Sequence, residues 1–300
     1  MATSKSAKGE SKSKILPRFG AHVPTTGGMA KRSISYAKDI NASAIQVFTS
    51  SPRAWAMPEG NPEADQKFKE LANEMDLAVY VHAPFLINLG SPTQSTYENS
   101  VASTAYSLKR AKEIGALGVV IHTGSAVEEG YVNQAWKQIS KGIKPVLKKL
   151  KEDDPWLLLE PTAGQGQSLV KLLPDITKYL DAWDWHPKVG VCLDTCHVFA
   201  AGHDIKKKGG MTETLDLLVK LVGLERIKLI HANDSMDVCG SLKDRHQNIG
   251  DGHIGTAPFE ELIAHKAVQN APLILETPGM EIEHGKEVAI FEKIRAKVIK

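Results

Sequence analysis

Cysteine is scarce in this chain: Cys192, Cys196 and Cys239 are the only three in 300 residues. So few cannot form a disulfide framework in a chain of this length, and a reducing, cytoplasmic setting is the expectation. Long apolar runs are also missing, so no membrane span is expected. The opening MATSKSAKGESKSKILP has no apolar centre of the kind a secretory signal needs. It reads as a disordered Ser/Lys-rich tail over 1–17, ahead of one folded domain over 18–300. Charge of one sign is lacking too. The formal net charge is +2, and the tail alone holds +3, which leaves −1 on the rest. A globally basic, nucleic-acid-coating surface is thereby excluded. Any nucleic acid must be met by a local patch or by metal ions.

What the chain does have is a regular series of short apolar runs, each ending on a side chain able to bind metal. The runs AVYVH, LGVVIH, WLLLE, VGVCLD, IKLIH and PLILE end at His82, His122, Glu160, Asp194, His231 and Glu276. These ends are 40, 38, 34, 37 and 45 residues apart, about one strand plus one crossover helix each. Continuous Val/Ile/Leu runs of this length suit parallel strands buried on both faces. FGAHV near 19–23 and SAIQVF near 43–48 bring the strands to eight. Helical patterns fall between them, roughly over 29–40, 62–75, 131–151, 168–181, 211–222, 258–269 and 284–298. One further helix, after SPTQS, opens with Ser95 and Glu98 at capping-box spacing. It carries Val101, Ala105, Leu108 and Ala111 on one stripe and stops at Gly115.

Eight strand–helix units predict an α/β fold, a TIM (β/α)8 barrel in a single domain. An open doubly wound sheet has the same element order. Chemistry favours the ring, because residues ending six strands meet in one bowl only if the strands close on themselves. In an open sheet they would stand in a row.

A lone His or Glu at a strand end is ordinarily a solvent-touching or ion-paired residue. Six together are different, since burying two Glu and an Asp side by side is strongly unfavourable without positive charge among them. Mixed imidazole and carboxylate ligands suit zinc, with manganese or iron as substitutes. Three more candidates lie close by. His197 follows Asp194 by three positions in DTCH, where the strand gives way to a turn. Asp244 and His246 stand two apart in KDRH, on one side of an extended segment. Nine oxygen or nitrogen ligands are too many for one tetrahedral ion and point to two or three, with a bridging carboxylate. Cys192 and Cys196 flank Asp194, which raises a zinc-thiolate reading. Structural zinc sites need four good ligands, so Cys192 is expected to pack inside the barrel instead. The stretch 232–257 is longer than a structureless barrel loop should be, which marks it as functional.

The strings GAHVPTTGG, VHAPFLINLG, IHTGS, LLLEPTAGQG, VGVCLDTCHVFAAGHD, IHANDS, KDRHQNIGDGHIG and LILETPG, in this order, resemble the endonuclease IV family of apurinic/apyrimidinic DNA endonucleases. The resemblance runs from about Phe19 to Glu276. It implies a TIM barrel holding three metal ions, normally zinc with manganese possible, that cleaves double-stranded DNA at abasic sites and clears blocked 3′ ends. His82, His122 and Glu160 match the ligands of a first ion. Glu160 would bridge to a second, held also by Asp194, His231 and Glu276. His197, Asp244 and His246 match the third. Glu160 and Glu276 are the implied catalytic carboxylates. Arg53 in FTSSPRAW matches an arginine that enters the duplex, and Phe85 and Leu86 match its apolar wedge. Some members have Tyr in place of Phe85, so stacking is kept here while a hydroxyl is lost. Lys243 and Arg245 are expected at phosphates, and His22 is a candidate for orienting a ligand or phosphate. A monomer is implied. Two other classes are possible. A xylose isomerase-like sugar isomerase would use Glu160, Asp194, His231 and Glu276 around one ion but would leave five ligands idle. A non-catalytic DNA-binding barrel would be expected to have lost a bridging carboxylate.

Overall fold

Short apolar runs that alternate inward and outward build a barrel when each pairs in parallel with two neighbours. In the computed structural model, which describes residues 16–299, the strands are β1 (Phe19–His22), β2 (Ala44–Val47), β3 (Ala78–His82), β4 (Gly118–His122), β5 (Trp156–Glu160), β6 (Val189–Asp194) and β7 (Ile227–His231). A two-stranded hairpin, β8 (Asp234–Ser235) with β9 (His246–Gln247), interrupts the series before β10 (Leu273–Leu275). The eight longer strands close into a ring in which β1 pairs with both β2 and β10, and every barrel pairing is parallel. The open-sheet alternative is thereby excluded.

Period-two alternation divides the apolar side chains into two clusters. Ala44, Ala78, Tyr80, Val120, Leu158, Cys192, Leu229 and Ile274 fill the barrel interior. The larger cluster lies between the strands and the surrounding helices. Cys192 is fully buried in the inner layer, as its strand position requires. Gly20 has no room for a side chain, since a Cβ there would sit 1.6 Å from the carbonyl oxygen of Ala44.

The helices are α1 (Ile34–Asp39), α2 (Pro62–Glu74), α3 (Gln94–Glu113), α4 (Val132–Leu147), α5 (Ile176–Ala182), α6 (Thr195–Ala201), α7 (Gly210–Val222), α8 (Ala257–Ala264) and α9 (Glu281–Val298). Along α4, Ala135, Ile139, Ile143 and Leu147 recur every fourth residue and are buried against the sheet. Each large aliphatic side chain buried this way contributes about 1.5–3 kcal/mol. Asn61 caps α2 by accepting from the amide of Ala64 at 3.0 Å, with Pro62 at the first helical position.

Three expectations need correction. The capping box at Ser95 and Glu98 does not form: the N-cap of α3 is Thr93, two residues earlier, and Gln94 donates to Glu98 at 2.7 Å instead. The buried face of α3 is also shifted. Ser100, Ser103, Thr104 and Ser107 are buried while Val101 and Ala105 lie at its flank. Two of these hydroxyls bond carbonyls of the preceding turn, Ser100 Oγ to that of Thr96 at 2.6 Å and Thr104 Oγ1 to that of Ser100 at 2.8 Å, while Ser107 Oγ has no partner. Helix is absent over 168–172. There the backbone pairs with the preceding loop, Leu169 N donating to the Gly124 carbonyl at 3.0 Å, and the helical turn starts only at Leu173.

The tail expected over 1–17 lies outside the described residues except at Leu16 and Pro17. The Pro17 carbonyl accepts from Arg295 Nη1 at 2.9 Å. Among the described residues, no helix is long and apolar enough to cross a membrane.

Candidate metal centre and nucleic-acid interface

Because inward residues recur every second position, each barrel strand delivers one side chain to the same rim. Those side chains are His22, Gln46, His82, His122, Glu160, Asp194 and His231, with Glu276 one residue past β10. All six strand-end residues singled out from the sequence come together. His197 joins them from the first turn of α6, where a helix rather than a simple turn follows Asp194. Asp194 is the N-cap of that helix, accepting from His197 N at 2.9 Å. Asp244 and His246 arrive on the β8–β9 hairpin, which occupies the long segment after His231.

The donor atoms form overlapping groups. His82, His122 and Glu160 are one, and Glu160, Asp194, His231 and Glu276 another. Asp194, His197 and His246 are a third, with Asp244 beside it. Glu160 Oε2 lies 3.4 Å from both His82 Nε2 and His122 Nε2. Its Oε1 is 2.9 Å from His231 Nδ1, which is 3.2 Å from Glu276 Oε2. Asp244 Oδ1 is 3.1 Å from His197 Nε2 and 3.2 Å from His246 Nε2. Glu160 therefore joins the first two groups, and Asp194 approaches the third.

Backbone carbonyls orient the rings. His82 Nδ1 faces the Ala83 carbonyl at 2.6 Å, His197 Nδ1 that of Pro161 at 3.0 Å, and His246 Nδ1 that of Glu276 at 3.1 Å. A carbonyl can only accept, so each Nδ1 carries a proton and Nε2 is left as the nitrogen that faces the bowl. Three buried candidate ligand atoms, Glu160 Oε2, His197 Nε2 and His246 Nε2, have no hydrogen-bond partner. Unpartnered ligand atoms converging among carboxylates fit divalent cations, and the donor types fit zinc or manganese.

Electrostatics point the same way. Burial alone would raise the Glu160 carboxyl, but His231 and His122 hold it well below its ordinary range. Burial likewise works against charge on His197 and His246, yet Asp194 and Asp244 raise His197 well above the usual imidazole value. Asp194 and Asp244 also lift His246 to about 9. The carboxylates here demand compensating positive charge. The thiols do not share in this. Burial pushes the Cys192 thiol up to about 12 and raises that of Cys196 as well, and Cys192 packs in the inner layer of the barrel.

Over the clusters opens a cavity of about 550 Å³ whose wall includes His22, Phe85, His122, Asp244 and Glu276. Phe85 is 49 % exposed and Leu86 37 %, so neither is a core residue. The Phe85 ring stands 5.2 Å from that of His82 and 5.9 Å from that of His122. Arg53 is exposed on the loop between β2 and α2. Arg245 is less available than expected: its Nε and Nη2 both bond Asp237 at 2.6 Å, with Lys243 3.5 Å from the same carboxylate.

Sequence reasoning missed four supporting residues. Gln46 bonds His231, Glu276 and His22. Asn233 ties Asp194 to the Glu276 amide at 2.7 and 2.8 Å. Asp234 accepts from the amides of Gly250, Gly252, Ile254 and Gly255, and Glu287 from that of Ile249, fastening the segment that follows His246. For Gln46 a signal existed, a lone polar residue inside the apolar run SAIQVF.

Fold and site together define a TIM-barrel enzyme whose rim gathers candidate metal ligands. The family model described as "Xylose isomerase-like TIM barrel" matches residues 34–296. Within that group the resemblance narrows. "Probable endonuclease 4" of Streptomyces coelicolor is 52% identical over 288 residues, covering 95% of this chain and 98% of the relative. The protein of the same name from Aquifex aeolicus is 38% identical, covering 87% and 91%. The crystal structure of endonuclease IV from Thermus thermophilus superposes with a TM-score of 0.82 at 30% identity, covering 94% of this chain and 100% of that one. The chain belongs to the endonuclease IV family, a family of hydrolytic deoxyribonucleases of DNA repair. A D-tagatose 3-epimerase-like protein, at TM-score 0.70 and 17% identity with coverage of 94% and 98%, shares the fold alone.

Proposed function

We propose that this chain is a metal-dependent apurinic/apyrimidinic endonuclease that hydrolyses the phosphodiester on the 5′ side of an abasic site in double-stranded DNA. The products are a 3′-hydroxyl and a 5′-deoxyribose phosphate. Removal of phosphate and other blocking groups from 3′ ends follows from the same chemistry. It acts as a monomer in the cytoplasm. The observation that carries the reading is the convergence of nine nitrogen and oxygen ligands on one bowl, with three buried ligand atoms left unpartnered.

His82, His122 and Glu160 would hold one ion, Glu160, Asp194, His231 and Glu276 a second, and His197, Asp244 and His246 a third. Zinc is the best match, with manganese acceptable at one or more positions. Bound there, zinc supplies Lewis acidity toward phosphoryl oxygens and brings water within reach of deprotonation near pH 7. With neutral histidines the nine ligands carry four negative charges, so three divalent ions leave about +2 in the bowl, an electrostatic fit for a phosphodiester and an incoming hydroxide.

The protein's own groups then have distinct tasks. Glu160 joins two ligand groups through its two oxygens. Glu276 has Oε1 committed to Gln46 and Oε2 beside His231 Nδ1 at 3.2 Å, so its carboxylate would serve the second ion and orient the attacking water next to it. Phe85 and Leu86, exposed at the mouth, would fill the gap in the base stack, and Arg53 would enter beside them. A baseless sugar leaves the stack at low cost and fits a bowl that rejects an intact nucleotide.

The test is elemental analysis of protein purified without added metal, paired with incision of a duplex carrying one abasic site. About three zinc or manganese ions per chain with magnesium-independent incision at the 5′ phosphodiester is the expected result. A single ion without incision would overturn it in favour of a sugar isomerase.

A further inference from the structure

Gln46 is fully buried at the C-terminal end of β2, yet it touches the rim residues of three other strands. Its amide orientation is fixed by chemistry. The atom 2.6 Å from Glu276 Oε1 must be the NH2 group, because a carboxylate can only accept. Gln46 Oε1 then faces His231 Nε2 at 2.8 Å, and an amide oxygen also only accepts. His231 therefore carries a proton on Nε2 and turns Nδ1 toward Glu160 Oε1 and Glu276 Oε2, at 2.9 and 3.2 Å.

The second amide hydrogen of Gln46 points at His22 Nδ1, 2.9 Å away. That nitrogen must accept, so the His22 proton sits on Nε2. His22 Nε2 is buried and has no partner, while the residue lines the wall of the bowl. An unpaired buried N–H at this place is a donor awaiting an acceptor.

We infer that Gln46 is a positioning residue that sets the proton placement of two histidines at once, presenting His231 Nδ1 as a ligand nitrogen and His22 Nε2–H as a donor to an anionic oxygen of the substrate. The ligand role of His231 rests on the metal-centre reading above; the two proton placements do not.

Nitrogen-15 NMR of histidine-labelled protein tests it directly. The wild type is expected to show His231 and His22 both protonated on Nε2, and an Nδ1-protonated form of either would overturn the inference. Gln46→Leu removes all three bonds without opening a large void. It should lose metal to a chelator about 10- to 100-fold faster than wild type and release His22 from a single tautomer. Metal loss and tautomers equal to wild type would refute the inference. Gln46→Glu discriminates positioning from simple space filling: its carboxyl must keep a proton toward Glu276 Oε1, 2.6 Å away, and has no second hydrogen for His22, so His231 should keep its Nε2 proton while His22 moves its proton to Nδ1. His22 remaining on Nε2 in that variant would also count against the inference. If Gln46→Leu does not fold, the wild-type tautomers decide. A wild type that binds no divalent ion would sink the endonuclease reading, while the tautomers would still report on Gln46.

Discussion

The amide of Phe85 donates to the carbonyl of Pro52 at 3.0 Å, tying the loop after β3 to the loop after β2. Pro52 precedes Arg53, so this one bond holds the two proposed DNA-probing elements, the aromatic wedge and the arginine, in fixed relation. Phe48 adds to the latch, its ring 5.3 Å from that of Phe85 at 85°.

Phe85→Ala should therefore impair recognition far more than folding. Loss of one stacking face costs about 1–3 kcal/mol, roughly a 5- to 150-fold fall in kcat/KM on abasic duplex. The melting temperature should move little, since the ring is about half exposed. Steady-state incision kinetics and a thermal melt on the same preparation check both halves, and an equal loss in stability would show the ring to be structural.

Glu160→Gln keeps the shape of the carboxylate and removes its charge. Because Glu160 faces His82, His122 and His231 together, the variant should hold fewer ions than wild type and incise at least about a hundredfold more slowly. Elemental analysis after gel filtration gives the count.

Removal of metal should destabilise the fold as well as abolish activity. Ligands that bind only the folded state add stability as RT ln(1 + [L]/Kd), about 4 kcal/mol at a thousandfold excess over Kd. Prolonged chelation should lower the melting temperature, and added zinc or manganese should restore it. An unchanged melt after complete metal removal would mean that the clustered carboxylates are neutralised in another way.

In the outer layer, Ile139→Ala empties a fully buried position on α4 and should cost about 2–5 kcal/mol in urea unfolding, with metal content preserved in the folded fraction. Loss of metal at native temperature would instead couple this helix to the rim.

Glu261 offers a pH-dependent test away from the metal centre. From α8 it accepts from the amide of Gly209 at 2.8 Å and from the amide and hydroxyl of Thr212 at 3.1 and 3.0 Å, closing the start of α7. Burial would raise its carboxyl, but these donors hold it below the usual range. A lowered folded-state value means the stabilisation is fully present above the unfolded pKa, about 4.3, and is lost as pH falls through the folded one. Glu261→Gln should cost roughly 1 kcal/mol or less at pH 7. The gap to wild type should close below about pH 4, and unfolding midpoints across pH would show it.

Much of this was legible in the chain. Strand ends such as His82 and His231 stood out because parallel strands read as apolar runs and a metal-binding side chain breaks the run at a fixed point. Helix α4 was legible for a similar reason, its aliphatic residues recurring at helical spacing. The buried face of α3 was not, because residues such as Ser100 and Thr104 look like surface residues until their hydroxyls find carbonyl and amide partners. Asn233, Asp234 and Glu287 were illegible for a related reason: each satisfies backbone amides or side chains brought near only by folding.

By itself the sequence determined the ring of strands, the candidate ligand side chains at the strand ends and the family resemblance, since each depends on residue type and spacing along one dimension. Only the tertiary structure decided which nitrogen of each ring faces the bowl, that Arg245 is taken up by Asp237, and that Gln46 joins four strands. Those are matters of distance between residues far apart in the chain: Gln46 and His231 are separated by 185 positions and meet at 2.8 Å. Hydrogen bonds act only at such contact range, so the barrel had to close before they were defined.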